Sequence, residues 1–131
     1  MIGLDTNVLV RYTTQDHPAQ SAAAARVMDS LSSDLPGFLS LLVIAEVVWV
    51  LQFSYRLKRD EIEHFVEGLL RSKELVLERA EIVSQALRKF RASRANFADC
   101  LIDRCSHAAE CEYVLTFNKD AAAMGMRLLA I

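Results

Sequence analysis

Short apolar runs alternate along the chain with longer segments of helical period, and this alternation constrains the fold more than any other feature. The predicted strands are the runs at 2–5 (IGLD), 37–40 (GFLS), 75–78 (LVLE), 113–117 (YVLTF) and 127–131 (RLLAI). Segments such as RDEIEHFVEGLLRS carry apolar residues at helical spacing and predict helices between these runs. The alternation predicts an α/β layer fold, with a mostly parallel central sheet of four to five strands flanked by helices.

Finer features of these elements can also be predicted. The run YVLTF is apolar enough to predict a buried strand. Asp16, ahead of Pro18, and Asn96, ahead of an apolar helix, are the predicted N-caps of two helices.

Length and composition predict one compact domain over residues 1–131. The chain is 53% hydrophobic and 24% charged, with four glycines and two prolines, which leaves no room for a linker or a disordered tail. Its longest apolar run falls short of the roughly 20 residues that span a bilayer. The opening MIGLDTN does not resemble a secretory signal. We therefore expect a cytoplasmic protein that does not enter a membrane.

The cysteines and histidines do not indicate a zinc site. Cys100, Cys105 and Cys111 lack C-x-x-C spacing, and the three histidines are scattered along the chain. We predict that the cysteines are buried structural thiols.

One carboxylate interrupts the most apolar segment of the chain. In LLVIAEVVWVL (41–51) only Glu46 is not apolar. Its neighbours on the same face of a helix include Leu42, Trp49 and Val50, none of which can pair with a charge. Because an unpaired carboxylate is costly to bury, we expect Glu46 to meet a partner from elsewhere in the chain.

Two more acids stand where core residues would be expected. Asp5 ends the first predicted strand, and Asp99 opens the apolar helix FADCLID. A divalent cation on which Asp5, Glu46 and Asp99 converged would offset the cost of desolvating all three. Oxygen ligands favour Mg²⁺ or Mn²⁺ over Zn²⁺. This arrangement indicates metal-dependent hydrolysis of a phosphodiester.

The chain resembles the PIN-domain ribonucleases, in particular the VapC-type toxins of toxin–antitoxin pairs, over nearly its whole length. The resemblance is carried by GLDTNVLVRY, VIAEVVWVL, FADCLI, LTFNKDAA and MGMRLL. It implies a PIN-like three-layer fold, an acidic pocket for Mg²⁺ or Mn²⁺, an RNA substrate, a cognate antitoxin and a homodimer. Asp5, Glu46 and Asp99 match the family's first three acids and are the implied catalytic and metal-binding residues. Thr6, Asn7 and Thr116 take supporting roles.

The sequence departs from the family pattern at Asn118, where a fourth acid is common. An amide oxygen can still bind a metal ion, but the site loses a charge. Asp103, one helical turn after Asp99, and Asp120 could compensate; the alternatives are a solvated helix face for Asp103 and an N-cap for Asp120. We predict that Asp103 completes the pocket and Asp120 does not. Because this acid is missing, the alternative function is a catalytically weak or inactive module that binds RNA or a partner protein.

A basic cluster precedes the Asp99 helix, although the net charge of the chain is −2. It consists of Arg88, Lys89, Arg91 and Arg94. These cations suit the phosphates of an RNA strand, and they also suit an ordinary solvated helix end. Apolar side chains around Trp49 and Phe53 and in segment 62–70 exceed what a small core needs. They could serve a homodimer or an antitoxin helix.

A phosphatase or receiver-like domain is the second enzyme class considered. Such a phosphatase would need an acid two residues after Asp5, where Asn7 stands, and it would leave Glu46 unexplained.

Overall fold

The computed structural model describes residues 1–131 and contains seven helices and five short strands. In chain order these are β1 (Ile2–Gly3), α1 (Thr6–Thr14), α2 (Pro18–Ser30), β2 (Gly37–Leu39), α3 (Leu41–Phe53), α4 (Arg59–Arg71), β3 (Leu75–Leu77), α5 (Ala80–Arg91), α6 (Phe97–Ala108), β4 (Leu115–Thr116), α7 (Lys119–Met124) and β5 (Arg127–Leu128). None of the helices has the length and apolar character needed to cross a membrane.

The chain divides into two compact units, residues 1–80 and 81–131. In the first unit, β1, β2 and β3 form a parallel sheet in that order, with Ile2 opposite Gly37 and Gly37 opposite Leu75. In the second unit, β4 and β5 pair in parallel. The predicted α/β class with parallel strands is confirmed. The five strands form two sheets rather than one: β1, β2 and β3 in the first, and β4 and β5 in the second.

A buried glycine on β2 positions the strand end that leads to Asp5. A Cβ atom on Gly37 would lie 2.8 Å from Leu4 Cδ1 and 3.0 Å from Leu31 Cδ1. Leu4 and Leu31 are both buried. The absence of a side chain at position 37 therefore lets Leu4 pack beside the sheet, immediately before Asp5.

Apolar helix faces supply most of the buried residues in both units. In the first unit these include Leu9, Ile44, Val47, Leu51 and Ile62, and in the second Val83, Ala86, Phe90, Phe97 and Cys100. The rings of Phe90 and Phe97 pack edge to face, with centroids 5.8 Å apart. Such burial of apolar area is the main source of stability for helices of this length.

Several local predictions are wrong in detail. The first residue of β4, Leu115, is 52% exposed, so YVLTF is not a fully buried strand. The N-cap of α2 is His17, whose Nδ1 accepts from Gln20 N at 3.1 Å, because Asp16 instead bonds Tyr55. All three cysteines are free, but only Cys100 is buried; Cys111 is exposed and follows α6.

Candidate active site

Asp5 lies where β1 gives way to α1, as the sequence predicts. It is the N-cap of α1, with an extended backbone, and its Oδ1 accepts a hydrogen bond from Thr6 N at 2.8 Å. The partial positive charge at the start of a helix favours a carboxylate there. Asp5 is exposed, so the carboxylate is held at the carboxyl end of the sheet and faces solvent.

Thr6 joins Asp5 to Glu46. Its side chain is buried, and its Oγ1 donates a hydrogen bond to Glu46 Oε1, 40 positions along the chain. Its backbone N–H donates to Asp5. The helix that carries Glu46 starts directly after β2, capped by Ser40 Oγ, which accepts from Val43 N at 3.1 Å. One buried threonine therefore hydrogen-bonds two carboxylates, Asp5 just after β1 and Glu46 in the second turn of α3, the helix that follows β2.

The expectation that Glu46 is buried is wrong. Glu46 is exposed, and so are its neighbours Leu42 and Trp49. The helix α3 buries a different face, formed by Ile44, Val47, Val48 and Leu51. Because Glu46 stays in contact with water, the hydroxyl of Thr6 is a sufficient partner and no buried counter-charge is required.

Asp99 lies in the first turn of α6, in the second unit. The predicted N-cap Asn96 is confirmed, since its Oδ1 accepts from Asp99 N at 2.8 Å. The Asp99 side chain is partly buried and pairs with no cation, and this burial raises the pKa of its carboxyl. A carboxylate in this setting favours a cationic ligand.

Asp103 is buried and already paired. Its Oδ2 lies 2.8 Å from Lys89 Nζ and 2.9 Å from Arg104 Nε. Burial on its own would raise the pKa of Asp103, but the hydrogen bonds and charges of Lys89 and Arg104 hold it below the ordinary value. Asp103 is therefore ionised at neutral pH, and two cations share its charge.

The loop after β4 is organised by Asn118. Its Oδ1 accepts from Ala121 N at 2.9 Å and caps α7, while its backbone N–H donates to Thr116 Oγ1 at 3.0 Å. The N-cap role considered for Asp120 is therefore wrong, since Asp120 lies inside the first turn of α7. Asn118 is exposed, and its amide oxygen has a second lone pair beyond the one used for the cap.

The four residues of the basic cluster differ in their exposure and contacts. Arg88, Arg91 and Arg94 are exposed at and beyond the end of α5. Lys89 is partly buried and binds Asp103 and the carbonyl oxygen of Met124, the latter at 3.2 Å. Sequence reasoning missed this ion pair because Lys89 and Asp103 lie on different helices, and no local pattern connects them.

A polar network around Arg11 was also missed. Arg11 Nε donates to Gln20 Oε1 at 2.8 Å, and its Nη1 donates to Tyr55 Oη at 3.1 Å and pairs with Asp16 Oδ1 at 3.3 Å. The available sequence signal was the position of Arg11, four residues after Asn7 and on the same face of α1.

Asp5 and Glu46 offer oxygen donors of the kind that magnesium and manganese ions bind. No group of three or more His, Cys, Asp or Glu side chains is arranged as a metal site. Mg²⁺, however, is usually bound through one or two carboxylates, with waters and substrate phosphate completing its shell. Asp5 Oδ2 and Glu46 Oε2 accept no hydrogen bond within the protein, and both residues are exposed, so the pair offers two anionic oxygens.

The fold is of the α/β class with parallel strands, and Thr6 joins the carboxylates of Asp5 and Glu46. A family model for the PIN domain matches residues 2–125, so the chain belongs to the PIN-domain family. No curated protein matches the chain at a significant level. PIN domains are generally metal-dependent nucleases, and the match supports a nuclease fold for this chain.

Proposed function

We propose that the protein is a metal-dependent endoribonuclease, the toxin of a toxin–antitoxin pair acting in the cytoplasm. The observation that carries this proposal is the link through Thr6, which hydrogen-bonds Asp5 at the end of β1 and Glu46 in the helix after β2. Asp99 is the third proposed ligand, and its partly buried carboxyl has no cation of its own.

The proposed roles follow from the donor atoms. When bound, Mg²⁺ or Mn²⁺ would ready a water for in-line attack on the phosphodiester and stabilise the leaving oxygen. Asp5 and Glu46 would hold the ion through their free oxygens, and Thr6 would orient both carboxylates. Asn118 is a candidate ligand through its amide oxygen. Asp103 enters only as a candidate, because binding a metal would compete with Lys89 and Arg104.

The test is cleavage of transfer, ribosomal and messenger RNA by the purified protein in Mg²⁺ or Mn²⁺. We expect discrete internal cuts that disappear in chelator. Folded, partner-free protein that leaves every RNA intact in both metals would contradict the proposal. Tight RNA binding that persists in chelator without cleavage would instead favour the non-catalytic module, which the amide at position 118 makes the second candidate.

Restoring a carboxylate at position 118 should strengthen the metal site. Asn118→Asp keeps an N-cap for α7, since Asp and Asn cap equally well, and it adds one negative ligand. We expect half-maximal cleavage at a metal concentration lower by several-fold. Asn118→Ser, which keeps a cap without adding charge, is the matched control. Equal metal dependence in the two variants would exclude position 118 from the site.

The exposed arginines at the end of α5 are the proposed RNA contact. Because single-stranded nucleic acid releases about 0.7 counterion per phosphate contacted, Arg91→Glu should weaken binding and flatten the salt slope by about that amount. Arg26→Glu, an exposed arginine on α2, controls for the change in net charge. Binding constants measured from low to high salt decide the point, and parallel slopes for both variants would remove Arg91 from the contact.

Two surfaces of the first unit support the proposed protein partners. On α3, Leu42 is 82% exposed, and Trp49 and Phe53 are each 54% exposed, which suits a homodimer contact. A cavity of about 570 Å³ has Leu9, Phe65 and Leu69 in its walls and Asp29 and Glu74 among its acids, which suits a basic antitoxin helix. Sedimentation of the protein, alone and with such a helix, tests both surfaces.

A further inference from the structure

A groove lies between α1 and α2, and its lining includes Asn7 at the start of α1. Its volume is about 310 Å³, and its apolar wall includes Val8, Ala23, Ala24 and Val27. The alanines keep the groove open because they place only methyl groups between the helices. At roughly 30 Å³ for each water in the liquid, the volume equals about ten waters, close to the number of non-hydrogen atoms in one nucleobase.

Two polar side chains of this groove, Arg11 and Gln20, present free hydrogen-bond donors. Arg11 uses Nε and Nη1 within the protein, which leaves Nη2 without a protein acceptor. Arg11 can only donate, so Gln20 must turn its oxygen to Arg11, and its Nε2 amide has no protein partner. Asn7 is exposed and makes no side-chain hydrogen bond, so it can donate or accept. A ligand group beside Arg11 and Gln20 must therefore present acceptors.

The donors are also held in place. Arg11 is bound by Gln20, Tyr55 and Asp16, and its side chain is only 27% exposed. Such a guanidinium loses little freedom when it binds a ligand. Its charge is partly offset by Asp16, so the groove suits a neutral group with acceptor atoms better than a bare anion.

One end of the groove lies close to the candidate acid Asp5 along the chain. Asn7 follows Asp5 by two residues at the start of α1, and Arg11 lies one turn further along the same face. With a rise of 1.5 Å per residue, Arg11 lies about 6 Å beyond Asn7 along the helix. If a phosphate lies at Asp5, the base of the nucleotide attached to it can reach this distance.

We propose that this groove is the subsite for one base of the RNA substrate, next to the cleaved phosphate, and that it prefers guanine. The proposal rests on the proposed nuclease function. Guanine offers two adjacent acceptors, O6 and N7, to Arg11 and Gln20. Adenine presents a donor in place of O6, which would face the free donors of Arg11 and Gln20. The apolar wall contacts the face of the base.

Filling the groove tests the subsite without altering the acids. Ala23→Leu adds bulk inside the groove, and Ala22→Leu adds the same bulk at the neighbouring exposed position, which does not line it. Leucine is a good helix former, so both variants should keep α2 intact, as circular dichroism would verify. Gln20→Leu removes the free amide and serves as a second variant.

Binding is measured in chelator with a short uridine-rich RNA that contains one guanine, and with the same RNA carrying adenine there. We expect the unmodified protein and Ala22→Leu to prefer guanine by about tenfold, roughly the value of one good base contact. Ala23→Leu and Gln20→Leu should lose this preference.

Three outcomes would overturn the subsite: no guanine preference in the unmodified protein, equal preference in Ala22→Leu and Ala23→Leu, or no binding of either RNA. If the binding pattern holds but metal does not restore cleavage, the subsite stands and the proposed activity fails. If cleavage occurs and Ala23→Leu leaves it unchanged, the activity stands and the subsite fails.

Discussion

Asp5→Asn is expected to lower the rate of RNA cleavage at least about a hundredfold, since even supporting residues of metal sites cost 10- to 100-fold when changed. The reason is loss of charge rather than loss of structure. Asparagine caps a helix as well as aspartate, so the bond from Thr6 N and the start of α1 should persist. The negative oxygen that faces solvent beside Glu46 disappears.

The rate is measured in a single turnover over a range of Mg²⁺ and Mn²⁺ concentrations. Asp34→Asn, which removes an exposed acid from the loop after α2, is the matched control and should cleave like the unmodified protein. Thermal unfolding of both variants verifies that the fold is retained. A folded Asp5→Asn protein with an unchanged rate would exclude Asp5 from catalysis and contradict the proposed function.

Asp103→Ala is expected to lower the free energy of unfolding by about 2–3 kcal/mol, which corresponds to a fall in Tm of roughly 6–12 °C. The change leaves Lys89 and Arg104 without the carboxylate that both of them bind. Partial exposure of the two cations places the expected loss below that of a fully buried pair. Asp120→Ala, an exposed acid on α7, is the control and should lose little stability.

The stability difference should depend on pH in a defined direction. The folded protein holds the pKa of Asp103 below its unfolded value, so the folded state binds fewer protons at this group than the unfolded state does. The stabilisation is complete above the unfolded pKa, near 3.9, and is lost as the pH falls through the folded pKa. Melts of Asp103→Ala and the unmodified protein should therefore differ fully at pH 7 and converge in acid.

A second substitution at this position, Asp103→Asn, separates the two roles considered for Asp103. If Asp103 acts only through Lys89 and Arg104, metal affinity measured on folded Asp103→Asn should match that of the unmodified protein. If Asp103 also completes the metal pocket, that affinity should fall. A Tm of Asp103→Ala equal to that of the unmodified protein would show that the observed ion pairs contribute nothing to stability.

Sequence patterns located most of the helices and strands, and they placed Asp5 at the end of a strand. The strand end at Asp5, the helix cap at Asn96 and the period of α4 each depend on residues within one or two turns of one another. Such local patterns can be recognised in the sequence without knowledge of contacts between distant residues. The misplaced caps at Asp16 and Asp120 show their limit, because a neighbouring residue with a suitable acceptor took the role in each case.

The sequence by itself determined the α/β class, the order of the elements and the placement of Asp5 at a strand end and Asp99 at a helix start. These properties follow from periodicity and capping within short stretches of chain. Only the tertiary structure decided that Thr6 joins Asp5 to Glu46, that Glu46 is exposed, and that Asp103 pairs with Lys89. Each depends on which faces of separate elements meet, and burial and charge pairing at such contacts are set by packing between residues far apart in the chain.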